Sequence, residues 1–98
     1  MTAIDAGTAA LDLDRRYGLH PQVAVRPEPF GALLYHFGTR RLSFIKTRKL
    51  LAVVQALGEQ PSGHEACRVA GVSDSELPTY ARALETLASS GMIEEDDR

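Results

Sequence analysis

Between Pro21 and Lys46 the apolar positions fall into three short extended runs, set apart by residues that break regular structure. Val23-Ala24-Val25-Arg26 lies between Pro21 and Pro27, and proline's missing backbone donor places both prolines at the margins of a short strand. Phe30 to Phe37 carries aromatic and aliphatic side chains on both faces, as in a middle strand covered on one side and partly on the other. Gly38-Thr39 then turns the chain back into Arg41-Leu42-Ser43-Phe44-Ile45-Lys46. There Leu42 and Phe44 share one face while Arg41, Ser43 and Ile45 share the other, the period of two that marks a half-buried strand. The alternation alone leaves open which face is core.

Beyond Thr47 the period lengthens. Leu50, Val53, Val54 and Leu57 recur at the i, i+3, i+4, i+7 spacing of a helix that buries one stripe, with Thr47 as its cap and Gly58 as its end. Ser62-Gly63-His64-Glu65 has the form of a capping box, which predicts a short second helix from Gly63 to Ala70 stopped by Gly71. Pro78 fits only the first turn of a third helix, so that helix starts near Asp74 or Ser75. Its apolar side comprises Leu77, Tyr80, Ala81, Leu84, Leu87 and Ala88, and Gly91 ends it.

Three strands followed by three helices predict an α+β domain, a small three-stranded antiparallel sheet and then the helices. The tight Gly71-Val72 turn gives the last two helices a winged helix-turn-helix outline. Residues 1–19 read as a flexible N-terminal arm, with a short helix over Thr8 to Leu13 left open; residues 20–93 form the domain and 94–98 an acidic tail.

A chain of 98 residues supports one core, and 44% apolar with 24% charged residues is the balance of a folded domain. The net charge of -2 conceals a division, because Arg40, Arg41, Lys46, Arg48 and Lys49 cluster while Glu94 to Asp97 are all acidic. Cys67 is the single cysteine, which excludes an internal disulfide and a cysteine-rich zinc site and points to a reducing cytoplasm. Met1-Thr2-Ala3-Ile4-Asp5 lacks the features of a secretory signal, and no apolar run approaches the roughly 18 residues that span a bilayer, so no membrane partner is expected.

Catalytic chemistry finds little footing. His20, His36 and His64 fall in a turn, a strand and a helix start, with no short spacing that suggests an acid-base couple or a metal site. His64 and Cys67 share a helical face, yet no orienting group accompanies them, and no glycine-rich phosphate loop is present. The expectation is a non-enzymatic protein without a cofactor. A winged-helix nucleic-acid regulator is the alternative, but the third helix and its lead-in carry Asp74, Glu76 and Glu85 against Arg82 alone, which opposes phosphate. No nucleic-acid partner is therefore expected.

Peptide capture draws these features together. An unpaired third strand offers free amides and carbonyls to an extended segment, a groove toward the third helix takes alternate apolar side chains, and the cations select an acidic ligand. Cations on an edge strand also serve to block aggregation, and the residues alone do not separate the two uses.

From His20-Pro21-Gln22-Val23 through Arg26-Pro27-Glu28-Pro29-Phe30-Gly31-Ala32-Leu33-Leu34-Tyr35 the chain resembles the small peptide chaperones of the pyrroloquinoline-quinone biosynthesis type. The likeness continues in Ser73-Asp74-Ser75-Glu76-Leu77-Pro78 and Leu84-Glu85-Thr86-Leu87, and covers about His20 to Ile93. More narrowly, Phe30-Gly31-Ala32-Leu33-Leu34-Tyr35-His36-Phe37 and the following Arg-Arg-Leu-Ser-Phe-Ile-Lys are similar to the mycofactocin biosynthesis chaperone family. The resemblance implies a precursor-peptide recognition element, whose ligand is the leader of a ribosomally made precursor and whose second partner is a radical S-adenosylmethionine maturase. It implies that Arg41, Leu42, Ser43, Phe44, Ile45 and Lys46 form the docking strand, and that Tyr80, Ala83, Leu84 and Leu87 lie on the flanking helix. Leu42, Phe44, Tyr80, Leu84 and Leu87 are equally open to a reading as ordinary core. The arm and the tail fall outside the family pattern.

Overall fold

In a computed structural model that describes residues 11–96, β2 (Val23–Glu28), β3 (Gly31–His36) and β4 (Arg41–Ile45) form an antiparallel sheet in that order. Register follows from burial: Leu34 stands opposite Val25 and Ser43, and Ala32 opposite Ile45, so the wholly buried Ala32, Leu34 and Ile45 share the inner face. The partners one step along, Ala24 with Tyr35 and Leu33 with Phe44, take the outer face. β2 runs through Pro27, past the margin expected there, because an edge strand tolerates a residue that cannot donate.

The helices α1 (Arg48–Leu57), α2 (Gly63–Val69) and α3 (Leu77–Ser89) cover the inner face. α1 contributes Val53, Val54 and Leu57, each at most 1% exposed and each worth about 1.5–3 kcal/mol on burial. Thr47 accepts the Leu50 amide at 3.0 Å, as its capping role requires. α2 ends in a Schellman arrangement: the Val72 amide reaches the Cys67 carbonyl, and Gly71 takes φ 91, a left-handed conformation that side chains resist. α3 begins at Leu77 after a turn over Asp74 to Glu76, slightly later than expected. Ser73 and Glu76 set that start through reciprocal bonds, Ser73 N–H to the Glu76 carboxylate at 3.0 Å and Glu76 N–H to Ser73 Oγ at 3.3 Å.

The expected box at Ser62 is only half formed. Ser62 Oγ accepts the Glu65 amide at 3.1 Å, but the Glu65 carboxylate is held by Arg68 instead of reaching back. The Gly63 and His64 amides are satisfied by the carbonyls of Arg15 and Leu13. The N-terminal segment thus caps a helix.

A second sheet departs from the expected boundaries at 19 and 94. β1 (Tyr17–Leu19) pairs antiparallel with β5 (Ile93–Glu95), Tyr17 opposite Glu95 and Leu19 opposite Ile93. Tyr17 is buried in the core cluster, and the Arg15–Glu95 ion pair at 2.6 Å with the Asp96 amide on the Arg16 carbonyl extends the ribbon. Strands this short carry no readable alternation, and the partner lies at the other end of the chain. Leu11 to Leu13 are not helical; Thr8 to Ala10, the remainder of that open expectation, lie outside the described residues, as do Asp97 and Arg98.

Candidate peptide-binding groove

β4 pairs with β3 on one side and with no other strand among the described residues. It contains no proline, unlike β2 at the opposite margin, so its backbone keeps a full set of donors. His36 fixes the turn that delivers it: the buried ring's Nδ1 accepts the amides of Gly38 and Thr39 at 3.0 and 3.1 Å, while Arg40 N–H donates to the His36 carbonyl at 2.7 Å. Arg40 holds φ 63, so the left-handed residue of this turn is an arginine, not the glycine two positions earlier.

Where β4 runs into α1, a cavity of about 160 Å³ opens toward α3, lined by Thr47, Leu50, Thr79, Tyr80 and Ala83. Its walls are almost entirely apolar. Lys49 of α1 and Glu76, the residue that caps α3, join these two helices through an ion pair of 2.8 Å. The Lys49 ammonium, with the Ser73 amide behind it, holds the Glu76 carboxyl down from 4.5 to about 2, and the same bond raises the lysine. Lys49 is thereby removed from the cation cluster of the sequence. Arg40, Arg41 and Lys46 have no ion-pair partner among the described residues, and Arg48 spends its Nε–H on the Pro29 carbonyl.

The sequence-derived residues divide by depth. Tyr80 and Ala83 line the cavity; Leu84 and Leu87 are not among its lining residues and lie in the core, at 0% and 5% exposure. Ile45 is also core, Ser43 is half-buried on the same face, and Arg41 and Lys46 are exposed near the two ends of the strand. Leu42 and Phe44 are 55% and 59% exposed and occupy the outer face, away from the helices. Thr47, Leu50 and Thr79 were missed as groove residues. Their signals were present as a cap and a helical stripe, but not the meeting of the two helices, because Lys49 and Glu76 are 27 positions apart.

Cys67 lies apart from this groove, 1% exposed, with burial pushing its thiol up and away from the reactive thiolate.

An unpaired strand edge beside an apolar groove defines a module able to take up an extended chain. The model of the peptide chaperone MftB family matches residues 16–94. Peptide chaperone MftB of Mycobacterium ulcerans (strain Agy99) is 61% identical over 88 residues, 90% of this chain and 81% of that protein. Its namesake in Mycobacterium tuberculosis (strain ATCC 25618 / H37Rv) is 59% identical over the same shares. The one in Mycolicibacterium smegmatis (strain ATCC 700084 / mc(2)155) is 52% identical over 84% of this chain and 80% of that protein. No solved structure gives a significant match. The chain belongs to the peptide chaperone MftB family.

Proposed function

We propose that this protein is a non-catalytic chaperone of mycofactocin biosynthesis that binds the leader of a ribosomally made precursor by strand addition to β4. It then presents the precursor's reactive end to a radical S-adenosylmethionine maturase. The observation that carries this reading is the proline-free margin of β4, unpaired among the described residues and lying beside an apolar cavity. A leader paired there sends alternate side chains toward Thr47, Leu50, Tyr80 and Ala83, and Arg41 and Lys46 favour carboxylates on the ligand.

The magnitudes are adequate. Five strand residues span roughly 17 Å, and four to six backbone bonds at about 1 kcal/mol net leave binding modest. One apolar anchor adds about 1.5–3 kcal/mol, which with a second brings the total near the roughly 8 kcal/mol of a micromolar complex after ordering costs. Tethering then raises the local concentration of the reactive end at the enzyme, so tight binding at each contact is unnecessary.

Calorimetric titration with synthetic leader, combined with amide exchange, tests the proposal. Binding near micromolar with slowed exchange in residues 41–46 is the expected result. No heat at roughly tenfold higher concentration, with circular dichroism showing an intact fold, sinks it.

A further inference from the structure

We propose that the outer face of the three-stranded sheet is a second, transient docking surface, and that its occupant is the enzyme receiving the peptide. This inference rests on the chaperone reading and names the surface that reading leaves unassigned. Cross-strand pairing puts Ala24 beside Tyr35, Tyr35 beside Leu42, and Leu33 beside Phe44 on this face, and Phe37 joins it through an edge-on ring contact with Tyr35 at 5.0 Å. No helix among the described residues covers these side chains: Phe37, Phe44 and Leu42 are 61%, 59% and 55% exposed.

At about 200 Å² for a fully exposed aromatic side chain, Phe37 and Phe44 alone leave roughly 240 Å² in water. With Leu42 and Tyr35 the patch reaches the roughly 300–600 Å² at which the largest apolar patch of a monomer is often functional. A contact of that size falls below the roughly 1,200 Å² that stable complexes bury, which suits a partner that must be released.

Charge chooses among occupants. Arg40, Arg41 and Lys46 border the β4 side without ion-pair partners among the described residues, whereas Arg26 on the β2 side is neutralised by Glu28 at 2.9 Å. A two-fold axis through Leu42 and Phe44 would press the cations of two copies together, so a second copy fits badly. A different protein, apolar at the centre of its contact and acidic at the rim, fits well. The surface also adjoins the groove: a strand added to β4 continues this face with its outward side chains, so an enzyme seated here touches the cargo.

Ala24→Asp and Phe37→Asp put charge on the face at exposed positions away from the β4 margin. Binding of purified maturase, leader affinity and light scattering are measured on the full chain of each variant, with circular dichroism to verify folding. The expected result is a loss of maturase affinity of roughly tenfold or more in each, with leader affinity within about twofold of the parent. Unchanged maturase binding in both variants overturns the inference, as does a parental dimer that Phe37→Asp dissociates. If the parent takes up no leader yet loses its maturase on these substitutions, the docking surface stands and the chaperone reading falls.

Discussion

Ile45 and Phe44 are adjacent, large and apolar, yet one is wholly buried and the other is 59% exposed. Only the side of the backbone from which each departs distinguishes them. The inner face of the sheet, with Leu34 and Ile45 at its centre, stabilises the fold; the outer face leaves Phe44 and Leu42 largely in solvent. Substitution separates these roles most sharply at this pair. Ile45→Ala removes methylene contacts from a closed site and is expected to cost about 2–5 kcal/mol. Phe44→Ser gives up its cross-strand contact with Leu33 and some strand propensity but opens no cavity, and is expected to cost about 1 kcal/mol or less. Urea unfolding of both decides it, and equal losses would show that the two faces contribute alike to stability.

Gly31→Ala tests what keeps the two faces in register. A Cβ at Gly31 would collide with the Ile45 carbonyl oxygen and come within 3.1 Å of the Thr47 amide, where β4 passes into α1. The backbone must yield, at about 1–3 kcal/mol. Because the shift occurs at the groove's base, leader affinity should fall along with urea stability. A variant of parental stability and affinity would mean that β4 moves freely at that point.

This contrast also shows what the sequence could carry. Alternation in Arg41 to Ile45 correctly separates Leu42 and Phe44 from Ile45, but a period of two has no sign. The face packed on the helices is set by the pairing of Ala32 with Ile45, a tertiary fact. The α1 stripe and the capping residues Thr47 and Ser62 were legible because they act within one or two turns. The β1–β5 ribbon was not, because three-residue strands have too few positions to display a period and pair across the whole chain. In the groove, Tyr80 and Ala83 emerged from the family likeness, whereas Leu50 had already been spent on the core stripe. One-dimensional periodicity cannot show that a half-buried residue at the margin of such a stripe faces a cavity.

Charge reversal sharpens the comparison along β4 without touching the core. Arg41 and Lys46 are exposed and without ion-pair partners among the described residues, so Arg41→Glu with Lys46→Glu should leave urea stability nearly unchanged. Affinity for an acidic leader should fall roughly tenfold, about 1.4 kcal/mol. The salt dependence of parental binding should weaken in the double variant, because rim charges act over a screened distance. Titrations at low and high salt measure both, and unaltered affinity would remove the argument for an acidic ligand.

The smallest expected effect concerns the brace between the groove's walls. Glu76 accepts from Lys49 Nζ at 2.8 Å and from the Ser73 amide at 3.0 Å, contacts that unfolding dissolves. Its carboxyl lies at about 2 when folded against 4.5 ordinarily, so the unfolded chain takes up the proton first as pH falls. The stabilisation is complete above about 4.5 and is lost as pH falls toward 2. Lys49 is raised, so its share is complete below its ordinary 10.5 and is lost only at higher pH. Both side chains are more than a third exposed, at 35% and 41%, and screening keeps the contribution small. Glu76→Gln should therefore lower the urea midpoint slightly at neutral pH and flatten its acid dependence relative to the parent. Parallel acid profiles in the two proteins would show that the helices meet without this brace.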